Sequence, residues 1–123
     1  MTVKIEVHGI PEARVYLKKQ NKLKIQQASD AIKQATLYVE GEVKQSIAGH
    51  RPEPKSVDTG RFLQSVHSTS NAMEGKIISD VNYAQFLEFG TSKLSARRHF
   101  QNSLERNRNK IRDFIKNKLG IHI

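Results

Sequence analysis

The chain is 123 residues long, enough to bury one core without staples, with 37% hydrophobic residues, 27% charged residues and a formal charge of +9. It has no cysteine, which excludes disulfides, thiolate metal sites and cysteine catalysis. The basic excess is densest over residues 99–123, with six basic and two acidic side chains, and fits either polyanion binding or solvated helix faces.

The opening "MTVKIEVHGI" alternates polar and apolar residues and lacks the apolar run of a signal peptide. No stretch approaches the ~20 apolar residues of a membrane span, so a soluble protein made in a cytoplasm is expected. Val3, Ile5 and Val7 predict a half-buried strand over 2–8, closed by Gly9, Ile10 and Pro11. Between Glu12 and Ile47 only Gly41 interrupts a run free of proline and glycine. Ile25, Ala28, Ile32, Ala35, Val39, Val43 and Ile47 recur there at steps of three or four, predicting one long helix with an apolar stripe. Before Lys22 the periodicity weakens, which suits a separate turn.

Residues 48–60, "AGHRPEPKSVDTG", carry prolines, glycines and charges without apolar pattern and read as a mobile loop. "RFLQSVHSTS" and "GKIISDV" then read as two strands of a β-hairpin joined by "NAMEG". "NYAQFL" predicts a short helix with Asn82 and Gln85 as a capping box and Gly90 as its stop. On that helix Tyr83, Phe86 and Leu87 share a face expected to dock on the hairpin. "TSKLSARR" reads as a second mobile loop, near 90–98. From about Arg98 to Leu119 a last helix carries Phe100, Leu104, Ile111, Phe114, Ile115 and Leu119 on one side, with Lys116 and Lys118 opposing its dipole at the end. The order β-α-β-β-α-α predicts a single α+β domain, with the long N-terminal helix and the C-terminal helix packed on a small antiparallel sheet.

Catalytic and ligand signatures are missing. The five histidines stand singly, and Glu40 and Glu42 diverge on a helix, so no metal set forms. Neither a G-x-S-x-G elbow nor a phosphate-cradling glycine loop occurs. The expectation is no enzyme, no metal and no cofactor. In the last helix Arg106, Lys110 and Lys116 fall near one exposed face, with Asp113 among them, and form a candidate DNA-facing surface. A small basic nucleic-acid-binding protein is therefore the alternative reading, and a nuclease built on histidine and lysine a distant third.

Three stretches in order, "VDTGRFLQSV" (57–66), "YAQFLEFGTSKLSARRHF" (83–100) and "QNSLERNRNKI", resemble the HK97 gp10-like family of tailed-phage morphogenesis proteins. Asp58, Thr59, Gly60, Leu63 and Ser65 match a D-T-G-x-L-x-x-S element, offset by one because Phe62 intervenes. Tyr83, Ala84, Glu88, Gly90 and Thr91 match a Y-A-x-x-x-E-x-G-T element. Arg97, Arg98 and Phe100 stand at the A-R-x-F element that opens the C-terminal helix, with His99 where the family commonly has proline. The resemblance implies a structural virion protein of the head–tail neck or tail completion, in a phage or prophage, assembled in the host cytoplasm. It implies a homo-oligomeric ring, a hexamer, in contact with neighbouring neck, head-completion or tail-terminator and tube proteins. Genomic DNA in the lumen is a further, non-specific partner, and a membrane is none.

Each motif residue also has a local reading. Asp58 or Thr59 caps the turn before the hairpin, with Gly60 giving backbone freedom. Arg97 and Arg98 are solvated, face DNA, or pair with Glu88 or with an acid on a neighbour. Glu88 holds the following loop, by accepting from Thr91 or backbone N–H groups or by pairing with Arg98. Glu88→Ala is then expected to impair assembly more than folding.

Overall fold

The computed structural model describes residues 3–8, 22–56, 60–71 and 74–120. The fold is α+β: strand β1 (Val3–His8), long helix α1 (Lys22–Ile47), one-turn helix α2 (Arg61–Ser65), strands β2 (His67–Ser70) and β3 (Glu74–Ser79), short helix α3 (Ala84–Phe89) and helix α4 (His99–Leu119). The sheet is antiparallel throughout, in the order β1-β3-β2, with Ile77 of β3 opposite Ile5 on one side and Ser68 on the other. Gly75, Ile77 and Ser79 alternate towards the core, as a strand covered on one face requires.

Helix α1 lies over the sheet and against α4, so its buried arc is wider than a single stripe. Ala28, Ile32, Ala35, Val39, Val43 and Ile47 are buried as expected, and Ala31, Thr36 and Ser46 join them. Ile25 does not; it is 42% exposed. The approach of α1 to β3 depends on Gly75. A Cβ there would lie 1.7 Å from the Oγ1 of Thr36, whose hydroxyl donates to the Ile32 carbonyl at 2.6 Å. Gly75→Ala should therefore push helix from sheet and lower stability by about 2 kcal/mol. Thr36→Ala in the same chain should recover part of that loss, and an unchanged urea midpoint for Gly75→Ala would show a looser approach.

Residues 61–65 correct the predicted hairpin: they form helix α2, and the strand starts only at His67. An extended chain would have put Gln64 on the same face as Phe62 and Val66. The helical turn instead buries Phe62 and Val66, packs Leu63 on the core and leaves Gln64 in solvent. The Ser65 hydroxyl closes the turn on the Phe62 carbonyl at 2.6 Å and lies 2.6 Å from the Ser79 hydroxyl of β3.

Two further corrections concern α3 and α4. Helix α3 starts at Ala84 without a side-chain cap, so the Asn82–Gln85 box does not form; a Val81–Ala84 backbone turn, at 3.0 Å, leads into it instead. Its buried positions are Ala84 and Glu88, flanked by half-buried Tyr83 and Leu87, whereas Phe86 is 47% exposed. In α4 the core-facing row is His99, Ser103, Asn107, Ile111, Ile115 and Leu119, with Phe100 beside it and Leu104 half-buried. Phe114 is 38% exposed and lies off this row. The turn expected before Lys22, and the capping pair Asp58 and Thr59, lie outside the described residues.

Candidate functional site

The matched segments meet at one corner of the fold, built around Phe62 and Glu88. The Phe62 ring stands 6.2 Å from Tyr83, 6.2 Å from His99 and 6.3 Å from Phe100 between ring centres, so the first two matched stretches share one aromatic cluster, and the third joins the corner at Gln101, whose N–H Glu88 holds. Gly60 immediately precedes α2 with a left-handed backbone.

Glu88 reaches from α3 to the start of α4. Its Oε1 accepts the Phe100 N–H at 2.9 Å and its Oε2 the Gln101 N–H at 2.9 Å. The first N–H groups of any helix lack intrahelical partners. Here the N-cap residue is Arg98, in a left-handed conformation (φ 53°) and making no side-chain cap, so the carboxylate from α3 takes that place. Burial pushes the Glu88 carboxyl above its ordinary range, although the two N–H bonds oppose this.

Two backbone bonds reinforce the corner: Arg97 N–H to the Leu87 carbonyl at 2.8 Å and Arg98 N–H to the Glu88 carbonyl at 3.3 Å. Gly90 turns the chain out of α3 with φ 79°, and a Cβ there would come within 2.8 Å of the Leu94 carbonyl oxygen. Thr91 Oγ1 accepts from the N–H groups of Lys93 and Leu94 at 3.2 and 3.0 Å. The 90–98 loop is thus closed on itself and tied at both ends. Glu88 does accept backbone N–H groups, but those of α4 rather than of the loop.

Beside this corner lies a second polar centre that the sequence did not disclose. His99 is fully buried, with Nδ1 2.8 Å from Ser46 Oγ and Nε2 2.7 Å from Ser56 Oγ. The Ser46 hydroxyl donates to Glu53 at 2.5 Å, so it must accept from His99 Nδ1–H. Nε2 then accepts from the Ser56 hydroxyl, which itself accepts from the Arg97 guanidinium at 2.7 Å. Protons run one way along Arg97, Ser56, His99, Ser46 and Glu53. Glu53 also takes a two-pronged bond from Arg106, at 3.1 and 3.1 Å, and one from Asn102 at 3.2 Å.

Burial alone would raise the Glu53 carboxyl, but the bonds from Arg106, Ser46 and Asn102 outweigh it and hold it down at about 2. Burial lowers His99 to about 4, beyond the opposing pull of Glu53. This chain of hydrogen bonds fastens loop 48–56 to α1 and α4. Its only signal in the sequence is the four-residue step His99, Ser103, Asn107, where polar side chains occupy the core-facing row.

The histidine has a testable consequence. Its folded value lies below the ordinary 6.5, so its contribution to stability is complete above pH 6.5 and fades as pH falls towards 4. A shift from 6.5 to about 4 corresponds to a loss of about 3 kcal/mol across that window. Urea midpoints should fall over pH 6.5–4 in the wild type and fall less in His99→Gln. A wild-type midpoint flat over that interval would contradict the buried neutral imidazole.

Comparison with protein-family models, with curated proteins and with solved structures finds no match in any of the three. The resemblance therefore rests on the motif residues themselves. Of these, Gly60, Leu63, Ser65, Tyr83, Ala84, Glu88, Gly90, Thr91, Arg97, Arg98 and Phe100 line or adjoin the corner just described, and Arg98 is exposed. Arg97 neither pairs with Glu88 nor stands free in solvent; it binds the Lys55 carbonyl at 2.7 Å as well as Ser56.

The candidate DNA-facing residues do not share one environment. Arg106 is committed to Glu53, and Lys110 donates to the Tyr38 hydroxyl at 2.9 Å while lying 4.7 Å from the centre of its ring. Lys116 is half-buried in the last turns of α4. Among the described residues no helix is long and apolar enough to cross a membrane, and no cluster of three His, Asp or Glu side chains could hold a metal ion.

Proposed function

We propose that this chain is a structural subunit of a tailed-phage or prophage particle. It completes the tail or joins it to the head–neck, as one copy in a ring, a hexamer, around the DNA channel. The observation that supports this reading is the convergence of the three motif stretches on one corner. Glu88, Gly90, Thr91 and Arg97, which match the family pattern, cap α4 and set the 90–98 loop, and Phe62 of the first stretch packs beside Tyr83, His99 and Phe100. A loop tied in this way presents exposed Arg98 at a fixed place, which suits a contact that every copy must repeat.

Its partners are then other copies of itself and the neck, head-completion or tail-terminator and tube proteins above and below. DNA in the lumen is a non-specific partner of whatever basic surface faces inward. Purified protein, alone or with its tail partner, should form annular particles in negative-stain electron microscopy, and antibody against it should label the neck of intact virions. A strict monomer, with no label at the neck, would overturn the proposal. Particles that form only on added DNA and dissolve as salt rises would favour the small basic nucleic-acid-binding protein instead.

A further inference from the structure

Loop 48–56 is held at two points that answer differently to acid. Glu53 is gripped by Ser46, Asn102 and both prongs of Arg106, and these bonds keep it ionised down to about 2. Three residues on, the Ser56 hydroxyl lies 2.7 Å from His99 Nε2 and 2.7 Å from the Arg97 guanidinium, which also binds the Lys55 carbonyl. This second hold needs a bare Nε2. Nδ1–H already donates to Ser46, so an added proton must go to Nε2, where the Ser56 hydroxyl hydrogen points. The Ser56 oxygen would then face two cationic donors, Arg97 and the imidazolium, and its own hydrogen would lose its acceptor. Around the ring, loop 48–56 contributes Glu53, the 90–98 loop Arg97, and α4 Arg106, which is bound to Glu53. Helix α1 contributes Ser46 and, one turn earlier, Glu42 in its pair with Arg51. Helix α2 contributes the Phe62 ring, and α3 contributes Glu88, bound to the N–H of Phe100. Burial and Arg97 oppose charge on the ring, and together they outweigh Glu53.

We infer that residues 54–56 form an acid-released latch: a proton taken up at His99 Nε2 frees the Ser56 end of the loop from His99 and Arg97, while Glu53 and the rest of the fold stay in place. Release lets water reach the ring, so the open form binds the proton more readily than the closed one, and acid favours opening. The closed form holds His99 at about 4 against an ordinary 6.5, so the hold is complete above pH 6.5 and weakens as pH falls towards 4. Glu53 keeps its charge over that whole interval, which confines the release to the Ser56 end. Opening also frees the Arg97 guanidinium, whose backbone stays tied to the Leu87 carbonyl beside exposed Arg98. Acid therefore adds the charges of Arg97 and His99 to the surface at the corner. The latch belongs to the single chain, so it stands or falls apart from the assembly reading.

Native-state hydrogen exchange read by NMR tests the latch, with each rate divided by that of an unprotected amide at the same pH. The reporter is the Ser56 N–H, bonded to the Ile47 carbonyl at 2.8 Å. Its protection should fall about 100-fold between about pH 7 and pH 4, the effect of a shift from 6.5 to about 4. The amides of Val39 and Val43 in α1, both fully buried, should stay better protected than Ser56 at every pH, because they open only with the whole fold. His99→Gln, which takes up no proton, should flatten the Ser56 profile. Arg97→Met keeps the imidazole but removes the rival cation and the grip on Lys55. Ser56 should then be less protected at neutral pH and lose less on acidification. Ser56 protection that does not change with pH overturns the inference. So does exchange of Ser56 at the rate of the α1 amides, which would mean that the loop opens only when the fold unfolds. An acid response that survives in His99→Gln would assign it to another group and also overturns it. If that variant does not fold, an Arg97→Met profile identical to that of the wild type does the same.

Discussion

Glu88→Ala should lower the unfolding free energy by about 3 kcal/mol, the largest loss expected from any single motif residue. Glu88 is 2% exposed, and its carboxylate accepts from the N–H groups of Phe100 and Gln101, the second and third residues of α4. Alanine would orphan both and leave a cavity between α3 and α4. Glu88→Gln separates geometry from charge. It keeps one oxygen for one N–H and removes the burden of burying a charge, which already raises this carboxyl, so it should cost only about 1 kcal/mol. Urea denaturation of the two variants checks the order. Equal and small losses would mean that the caps are dispensable and that the residue acts in assembly alone. These two bonds move the expected effect of Glu88→Ala from assembly towards folding.

The other large effect is expected at Glu53. Glu53→Ala removes the acceptor shared by Ser46, Asn102 and both prongs of Arg106, and should cost about 3 kcal/mol near neutral pH. Because those bonds hold the carboxyl at about 2 against an ordinary 4.5, its contribution is intact above pH 4.5 and fades as pH falls towards 2. Its second consequence is local. Loop 48–56 would keep the Ser56 N–H bond to the Ile47 carbonyl and the contacts of Arg51 and Arg97, but lose its buried anchor. Limited trypsin digestion should cut after Lys55 several-fold faster in the variant, at temperatures well below global unfolding. Cleavage at the wild-type rate, with an unchanged midpoint, would show that the loop is held by other means.

These two carboxylates mark how much could be seen beforehand. Alternation announced β1, and the three-and-four step announced α1, because both periods record burial on one side. A five-residue helix has too few positions to show a period, so residues 61–65 passed for strand beside the β-branched and hydroxyl residues that follow. Phe86, Phe114 and Ile25 fit apolar patterns yet face solvent, since a pattern fixes the direction of a side chain and not whether another element lies there. Glu88 was recognisable as a holder of backbone N–H groups from its place before the Phe89–Gly90 turn. Its true partners were hidden because the intervening loop folds back to bring α4 against α3.

The fastening around His99 was the least legible part. Ser46, Glu53, Ser56, His99 and Arg106 come from two helices and the loop after α1, and no spacing links them. Each alone resembles an ordinary solvated residue, and only the packing of α1 against α4 makes the set a buried network. The same packing takes Arg106 away from the basic face on which the sequence places it. Among the described residues Arg98 stays exposed, at a corner fixed by backbone bonds.

Native mass spectrometry across a concentration series tests most directly whether this chain is built to form a closed ring. Mass should pass from the 14.0 kDa monomer to one larger species, a single whole-number multiple that grows no further as protein is added. A monomer at every concentration, with or without the tail partner, would contradict it. So would a ladder of all multiples that lengthens without limit.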